Sequence, residues 1–330
     1  MARIFTDGAE TGDLSGLLTS TGLTVVTTKP RSGTYHYRAA TSASQLIKSF
    51  SSLTELYFRS GMAVDSGSQS TNGFQFREGS IVHIAVYMNP AFRSVQVQRG
   101  TTTLVEVITG WTYQTWYLME IYVRIHDTTG QVIVKWDGVE IINFTGDTRN
   151  GGAGTVNGLG SSSGGATTFW FDDFAFNDTS GGADNSWCGD GKIIALVPNG
   201  DNSVQWLGSD GDTTNNYALV DEIPPSGSDY VRATGSAYTD IYNLSTVDFA
   251  GQTIQRIWMV SRAKSDTSGD YFLHGIQVSG SNYLVTGSLP TSFGRIDVSA
   301  TGTWALNPYT GGAWSQEQID NLLLVIKAPG

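Results

Sequence analysis

The chain is poor in cysteine and in long apolar runs, and each shortage excludes a class of protein. Cys188 is the only cysteine among 330 residues, so no disulfide can form within the chain and a secreted disulfide scaffold is excluded. No apolar run approaches the length of a membrane span, and the opening residues lack the apolar core of a signal peptide. We therefore expect folding in a reducing cytoplasm and no membrane partner.

Charge is also scarce, and clusters of basic residues are missing. Only 15% of the residues are charged, and the formal net charge is −11. A nucleic-acid-binding protein needs a concentrated basic face that neutralises phosphates, and no Lys/Arg cluster stands out in this sequence. We therefore expect no nucleic-acid partner, and we interpret the acidity as a source of solubility.

What the chain has in abundance is glycine, with 40 residues. Many glycines and few charges are typical of short strands joined by tight turns. Residues 116–178 carry this pattern most clearly. Apolar and polar residues alternate between Tyr117 and Ile125, which indicates a half-buried strand. Asp137 and Gly138 lie between two apolar runs and predict a hairpin.

A polar segment at residues 177–186 divides the sequence. Its Gly, Ser, Asp and Asn residues are typical of a linker. We predict one domain at 1–180 and another at 187–330, each long enough for one sandwich. The predicted fold class is all-β, with two tandem antiparallel β-sandwich domains of the jelly-roll type and one short helix near the C-terminus.

The second domain carries weaker strand signals and one clear helix signal. Runs of apolar and aromatic residues predict strands that include 192–197 and 217–223. Ser315 with Gln318 three positions later forms a capping-box pattern, which predicts the start of the short helix.

Several features of residues 116–176 are shared with a known superfamily. They are Trp116, the strand that holds Glu120 and Val123, the hairpin at 134–139 and the segment 171–174. Through these features residues 1–180 resemble the concanavalin A-like lectin and glucanase superfamily, in particular its laminin-G-like modules. The resemblance implies a jelly roll. It singles out no function, because that fold hosts lectins, enzymes, receptors and structural modules.

A second resemblance covers most of residues 187–328. Its carriers are Trp187, 190–192, 196–201, Trp206, 221–225, 229–231 and segments between Asn307 and Leu322. This block is similar to one in structural proteins of tailed bacteriophages. The resemblance implies a virion protein, without a place on the virion.

Two acidic segments of the first domain resemble the pair that holds a structural calcium ion in many sugar-binding jelly rolls. They contain Asp7 and Glu10 near the start, and Asp172 and Asp173 near the end. The first and last strands lie side by side in such folds, and hard oxygen ligands from both can hold the sandwich closed. Calcium is one interpretation. The other is that Asp172 and Asp173 end a strand and cap a turn.

The sequence contains few residue patterns that indicate a catalytic site. A glycosidase of this fold needs two carboxyl groups around one glycosidic bond, and the corresponding strand offers Glu120 alone. We interpret Glu120 as a solvated residue or as a cross-strand partner of Arg124 or Lys135. The 4 histidines show no paired spacing for a zinc site. We predict that the chain is not an enzyme.

These patterns lead to one main functional prediction and two rivals. The main prediction is a non-enzymatic structural protein on the surface of a phage virion, made in the host cytoplasm. It would be a capsid decoration or cement protein that forms homo-oligomers and docks on major capsid or tail proteins. The first rival is a tail- or fibre-associated adhesin that binds host glycans through exposed Trp and Tyr. The second is a glycan depolymerase, which requires two facing carboxylates about 5 to 9.5 Å apart in a cleft.

Overall fold

The computed structural model of the chain describes residues 3–18, 22–39, 43–66, 72–163, 168–249, 251–297 and 303–330. The chain divides into two compact units, Met1–Ile194 and Ala195–Gly330. The predicted fold class is confirmed: the described residues form antiparallel strands, with a short α-helix near the C-terminus. The domain bounds 1–180 and 187–330 stay a prediction. No helix in the described ranges is long and apolar enough to cross a bilayer.

The first unit is built from strands. They are β1 (Arg3–Asp7), β2 (Leu23–Val26), β3 (His36–Ala39), β4 (Ala43–Leu53), β5 (Glu55–Ser66), β6 (Asn72–Glu78), β7 (Ile81–Asn89), β8 (Ser94–Arg99), β9 (Thr102–Ile108), β10 (Tyr117–Arg124), β11 (Gly130–Trp136), β12 (Val139–Gly146), β13 (Val156–Ser163) and β14 (Thr168–Asn177).

These strands form the two antiparallel sheets of a jelly-roll sandwich. The larger sheet has the order β12-β11-β10-β5-β14-β3-β2, and β1 also pairs with β14. The smaller sheet has the order β4-β13-β6-β7-β8-β9. Asp137 and Gly138 connect β11 to β12, so the predicted hairpin is confirmed. The first and last strands are neighbours as expected, since Phe5 lies opposite Phe176.

A core rich in phenylalanine lies between the two sheets. Its fully buried phenylalanines are Phe58, Phe74, Phe76, Phe169, Phe171, Phe174 and Phe176. Phe58 and Phe74 come from opposite sheets, and their ring centroids are 4.7 Å apart in an edge-to-face arrangement. Burying one such side chain contributes roughly 1.5–3 kcal/mol. Residues that point inward from the strands therefore form the core. Residues that point outward are not needed for the core and can contact a ligand.

Strand alternation also sets the outward face of the larger sheet, which we call the outer face. Arg38 on β3 lies opposite Trp170 on β14, and Trp170 lies opposite Ala63 on β5. Two residues earlier on β5, Gly61 lies opposite Leu118 on β10. Positions of this one face hold most of the candidate site described below.

The second unit has shorter elements. They are β15 (Pro198–Ser203), β16 (Leu207–Gly208), a 3-10 helix (Asn216–Leu219), β17 (Val231–Arg232), β18 (Thr239–Leu244), β19 (Ile257–Trp258), β20 (Val260–Ala263), β21 (Tyr271–Val278), β22 (Ser281–Ser288), β23 (Gly294–Asp297), β24 (Thr303–Trp304), α1 (Gln316–Asp320) and β25 (Leu323–Lys327). The largest sheet of this unit has the order β15-β18-β25-β21-β22. Trp304, Trp314 and Ile319 belong to its apolar core.

The helix prediction is confirmed, because Ser315 is the N-cap of α1 and forms the expected capping box with Gln318. The strand predicted at 217–223 is wrong. This segment starts inside the 3-10 helix, where Asp201 accepts the backbone N–H of Tyr217 at 2.8 Å. A side-chain acceptor here takes the place of a neighbouring strand.

The strand predicted at 192–197 is also wrong, since these residues have no regular secondary structure. The backbone N–H of Ile193 donates to Asp173 at 2.7 Å and to the hydroxyl of Ser32 at 3.2 Å. Side chains therefore accept a backbone N–H of this apolar segment, although a neighbouring strand was expected to do so.

Candidate functional site

The end of β1 brings the first predicted carboxylates next to the last strand. Asp7 lies opposite Phe174 of β14. Its Oδ1 accepts hydrogen bonds from the N–H of Ala9 and from the hydroxyl of Tyr37, both at 2.8 Å. Asp7 is buried, so these bonds supply part of the polar contact that burial requires.

Glu10 lies beyond β1 and is held by the backbone of a loop. Its carboxylate accepts the N–H groups of Thr34 and Tyr35, each at 3.0 Å. Gly33 permits this close approach, since its φ is 59° and a Cβ there would lie 2.3 Å from the Glu10 carboxylate. Burial raises the pKa of Glu10 to about 7; neighbouring carboxylates add to this effect, and the two backbone hydrogen bonds oppose it.

Asp172 and Asp173 lie inside β14. A bulge in the pairing of β14 with β5 falls between Asp172 and Ala175, and Asp173 has a left-handed φ of 54°. Bulges re-aim side chains, and here Asp172 accepts the N–H of Arg31 at 3.1 Å while Asp173 accepts the hydroxyl of Ser32 at 2.7 Å. Burial and the neighbouring Asp173 carboxylate raise the pKa of Asp172 well above its usual range.

This geometry bears on the two interpretations of the four carboxylates. Asp172 and Asp173 do not end a strand, so the turn-cap interpretation is wrong as stated. In the described ranges, no group of three or more His, Cys, Asp or Glu side chains is arranged to hold a metal ion. As arranged, the oxygens of Asp7, Glu10 and both β14 aspartates accept hydrogen bonds from the chain itself. Calcium binding by these residues stays a prediction.

Arg31 connects the buried carboxylates with the outer face. Its guanidinium donates to Asp173 and to Asp190, each at 2.6 Å. The side chains of Arg31 and Asp173 are 11% and 0% exposed, whereas that of Asp190 is 70% exposed. The Arg31 side chain passes over Gly61, where a Cβ would lie 2.2 Å from its Cδ. A glycine inside a strand often marks such a close approach.

A pocket opens on the outer face beside Arg31. Its volume is about 230 Å³, and its lining consists of Arg31, Trp116, Leu118, Glu120, Asp137, Gly138 and Asp190. We call it the acidic pocket. Trp116 is half-buried, and its indole N–H donates to the carbonyl of Lys29 at 2.9 Å. The lining therefore combines an anchored aromatic ring with carboxylates and one guanidinium.

Two of these carboxylates are fixed by backbone donors. Asp137 accepts the N–H of Leu118 at 2.7 Å, and Glu120 accepts the N–H of Gly189 at 2.7 Å. Each of these bonds uses one oxygen, so the second oxygen can still accept a bond from a ligand. The expectation that Glu120 is solvated is wrong, because it is 4% exposed. Glu120 lies opposite Lys135 on the neighbouring strand. Its carboxylate nevertheless bonds to the segment around Gly189, and the strand pattern did not predict that this segment lies beside β10.

The outward face of the smaller sheet also carries polar side chains, but they bond to one another. Gln75 donates to the hydroxyl of Tyr87 at 2.9 Å, and Gln98 donates to Gln96 at 2.6 Å. Gln75, Tyr87 and Gln96 are buried. The acidic pocket is the better candidate for a ligand, since Asp137 and Glu120 keep acceptor capacity.

No family model and no curated protein matches this chain. The alginate lyase Aly36B is 12% identical, with 53% of this chain and 96% of that one covered and a TM-score of 0.37. The carbohydrate-binding module CBM66 from Bacillus subtilis is 13% identical, with 48% of this chain and 96% of that one covered and a TM-score of 0.34. A galectin from Caenorhabditis elegans is 11% identical, with 43% of this chain and 95% of that one covered and a TM-score of 0.30.

Our prediction that the chain is not an enzyme is contradicted, since several of the similar structures are alginate lyases. At 9–14% identity these likenesses assign no activity to this chain. The physical basis of the prediction was also incomplete. It required a carboxylate pair on one strand, whereas Glu120, Asp137 and Asp190 reach one pocket from three separate segments. The virion location and the capsid or tail partners stay predictions.

Proposed function

We propose that the first unit binds a glycan and that one sugar ring occupies the acidic pocket against Trp116. The observation that carries this proposal is the lining of the pocket, which places one indole, three carboxylates and one guanidinium around about 230 Å³. Ligand sites in proteins are typically concave, with an apolar surface and a few placed polar groups.

A sugar ring matches this lining in its chemistry. The C–H groups of the ring form an apolar face that an indole can cover. Its hydroxyls donate hydrogen bonds to carboxylates such as Asp137 and accept them from the Arg31 guanidinium, which has donors only. Neither a purely apolar ligand nor a polyanion would satisfy so many carboxylates.

The groups that would contact the sugar are already fixed. Arg31 is held by Asp173 and Asp190, and Trp116 is held by the Lys29 carbonyl. Holding side chains in place before binding reduces the entropy lost when a ligand arrives. A carbohydrate-binding module is among the similar structures, but the proposal depends on the pocket.

The experiment is a glycan array with the full chain, followed by calorimetric titration of the strongest glycan. Trp116→Ala should weaken binding by at least about tenfold, which corresponds to about 1.4 kcal/mol. Trp206→Ala is the matched control, because Trp206 is also half-buried and donates its indole N–H to a carbonyl, that of Tyr238, at 2.9 Å. Equal affinities of the two variants would overturn the proposal, as would an array with no bound glycan.

The same samples should be analysed for released sugar. If turnover occurs, Glu120→Gln and Asp137→Asn identify which carboxylates take part, because an amide cannot act as a proton-transfer group at neutral pH. Binding in the acidic pocket is expected with or without turnover.

A further inference from the structure

A second pocket lies on the outer face. Its volume is about 330 Å³, and its lining consists of Val26, Thr28, Lys29, Arg38, Asp65, Gln114 and Trp170. We call it the basic pocket. Two cations and one carboxylate line it, so its charged residues sum to one positive charge in a chain with a net charge of −11.

The two cations of the basic pocket keep unused donors. Lys29 donates to the amide oxygen of Gln114 at 2.7 Å, and the amide nitrogen of Gln114 donates to Asp65 at 2.9 Å. An ammonium has three donors, so Lys29 can make further bonds. Within the described ranges, the guanidinium of Arg38 takes part in no ion pair or side-chain hydrogen bond. Arg38 is therefore available to a ligand.

The lining of the basic pocket includes one aromatic side chain, Trp170. Trp170 lies directly opposite Arg38 in the β14–β3 pairing, and it is 5% exposed. An indole beside a guanidinium offers both an apolar surface and a positive charge. These are the two features that a charged sugar ring requires, since such a ring has one apolar face and one anionic substituent.

The basic pocket adjoins the acidic pocket. Two chain segments contribute to both: Lys29 and Arg31 are two residues apart, as are Gln114 and Trp116, and in each pair the first residue lines the basic pocket. The ring centroids of Trp116 and Trp170 are 6.1 Å apart. A chain of linked sugar rings can therefore pass from one pocket to the other.

We infer that the basic pocket is a second subsite, which takes a carboxylate- or sulfate-bearing residue of the glycan whose neighbouring ring occupies the acidic pocket. This inference rests on the proposed glycan-binding function and adds the substrate class, an acidic glycan. A guanidinium can bind a carboxylate or sulfate through two parallel hydrogen bonds. The carboxylates of the acidic pocket would repel the same group, so opposite charges in the two pockets fix the direction of the bound chain.

The test uses the full chain and an array of carboxylated, sulfated and neutral oligosaccharides. The strongest acidic glycan is then titrated beside its carboxyl-reduced or desulfated counterpart, which shows whether the anion is a carboxylate or a sulfate. Arg38→Gln should weaken binding of the acidic glycan by about tenfold and change binding of the neutral counterpart less than about twofold. Arg124→Gln is the control, because its guanidinium bonds to the Thr129 carbonyl and lines neither pocket.

The outcomes separate this inference from the proposed function. If Trp116→Ala weakens both glycans and Arg38→Gln weakens neither or both equally, the second subsite is wrong and the acidic pocket stands. An array on which only neutral glycans bind also overturns the second subsite. If Trp116→Ala changes nothing while Arg38→Gln weakens the acidic glycan, the acidic pocket is wrong and anion binding at Arg38 stands alone. Rising salt should weaken the acidic glycan more than the neutral one.

Discussion

The acidic pocket and the basic pocket lie on the same face of one sheet and share two segments of chain, yet their charges are opposite. The residues that create this contrast occupy outward strand positions and adjoining loops, as with Arg38 on β3 and Glu120 on β10. Inward positions of the same strands hold the core. A β-sandwich can therefore change the charge of a binding face while the core stays the same.

The pockets also differ in what supports them. Arg31 of the acidic pocket forms an ion pair with Asp173, which is fully buried. Lys29 of the basic pocket donates a hydrogen bond to Gln114 at the surface. We therefore expect loss of the Arg31–Asp173 pair to lower the stability of the fold, whereas substitution of Lys29 or Arg38 alters binding alone.

The largest effect is expected for Asp173→Ala. This change leaves the Arg31 guanidinium without its buried partner and removes an acceptor from Ser32 and Ile193. Breaking a buried ion pair costs about 3–5 kcal/mol, and urea unfolding measures it. Arg38→Gln serves as the comparison in the basic pocket and should shift the free energy of unfolding by less than about 0.5 kcal/mol. If both variants lost a similar free energy of unfolding, the two pockets would not differ in how their charged residues are supported.

A pH dependence of stability should follow from Glu10, which is buried near the Asp173 and Asp7 carboxylates. The pKa of Glu10 is raised from its ordinary value of 4.5 to about 7 in the folded chain. As pH rises through this window, the unfolded state releases its proton first, so the free energy of unfolding falls by up to about 3 kcal/mol. Asp172, whose pKa is also raised, acts in the same direction across this window and above it.

Unfolding of the wild type and of Glu10→Gln between pH 4.5 and pH 8 tests this dependence. The variant should lose part of the decline in stability with rising pH. Glu140→Gln, at an exposed position on β12, is the control and should keep it. A wild-type stability that rises across this window would contradict the assigned environment of Glu10, and so would an unchanged profile in Glu10→Gln.

A smaller effect is expected for Gly61→Ala. The added methyl group would lie 2.2 Å from the Cδ of Arg31, so the arginine must shift, at a cost of about 1–3 kcal/mol. Binding in the acidic pocket should weaken in calorimetric titration, because Arg31 lines it. Ala63→Gly, two residues along the same strand, is the matched control. If Gly61→Ala binds like the wild type, the position of Arg31 does not matter for the ligand.

Only a small effect on stability is expected for Asp190→Asn. The Asp190 side chain is 70% exposed, and exposed ion pairs contribute about 0–1 kcal/mol. Its effect should appear in glycan affinity, since Asp190 lines the acidic pocket. A loss of stability as large as that of Asp173→Ala would mean that the two partners of Arg31 do not differ as described.

Local patterns in the sequence predicted the scaffold well. The strand predicted between Tyr117 and Ile125, the turn at Asp137 and the capping box at Ser315 each depend on a few neighbouring residues, and each is present in the structure. The expectation that this strand is half-buried is wrong, because every residue from Leu118 to Val123 is buried. The resemblance to a known superfamily predicted that the first and last strands lie side by side. This pairing is present, and it places Asp7 beside β14.

The site itself could not be predicted in the same way. Arg31 and Asp190 are far apart in sequence and meet through a loop and an irregular segment that have no periodic pattern. The environment of Glu120 was predicted wrongly for the same reason. Its carboxylate accepts the N–H of Gly189, and no periodic pattern placed Gly189 beside β10. One signal was available: Gly61 interrupts a strand of larger residues, and such a glycine indicates a close approach by another group.

A crystal structure of the full chain with its strongest array glycan tests binding in the acidic pocket most directly. We predict one sugar ring against the indole of Trp116, with hydroxyls bonded to Arg31 and to Glu120 or Asp137. Density for the glycan on the smaller sheet, at Gln75, Tyr87 and Gln96, with the acidic pocket free of sugar, would contradict it.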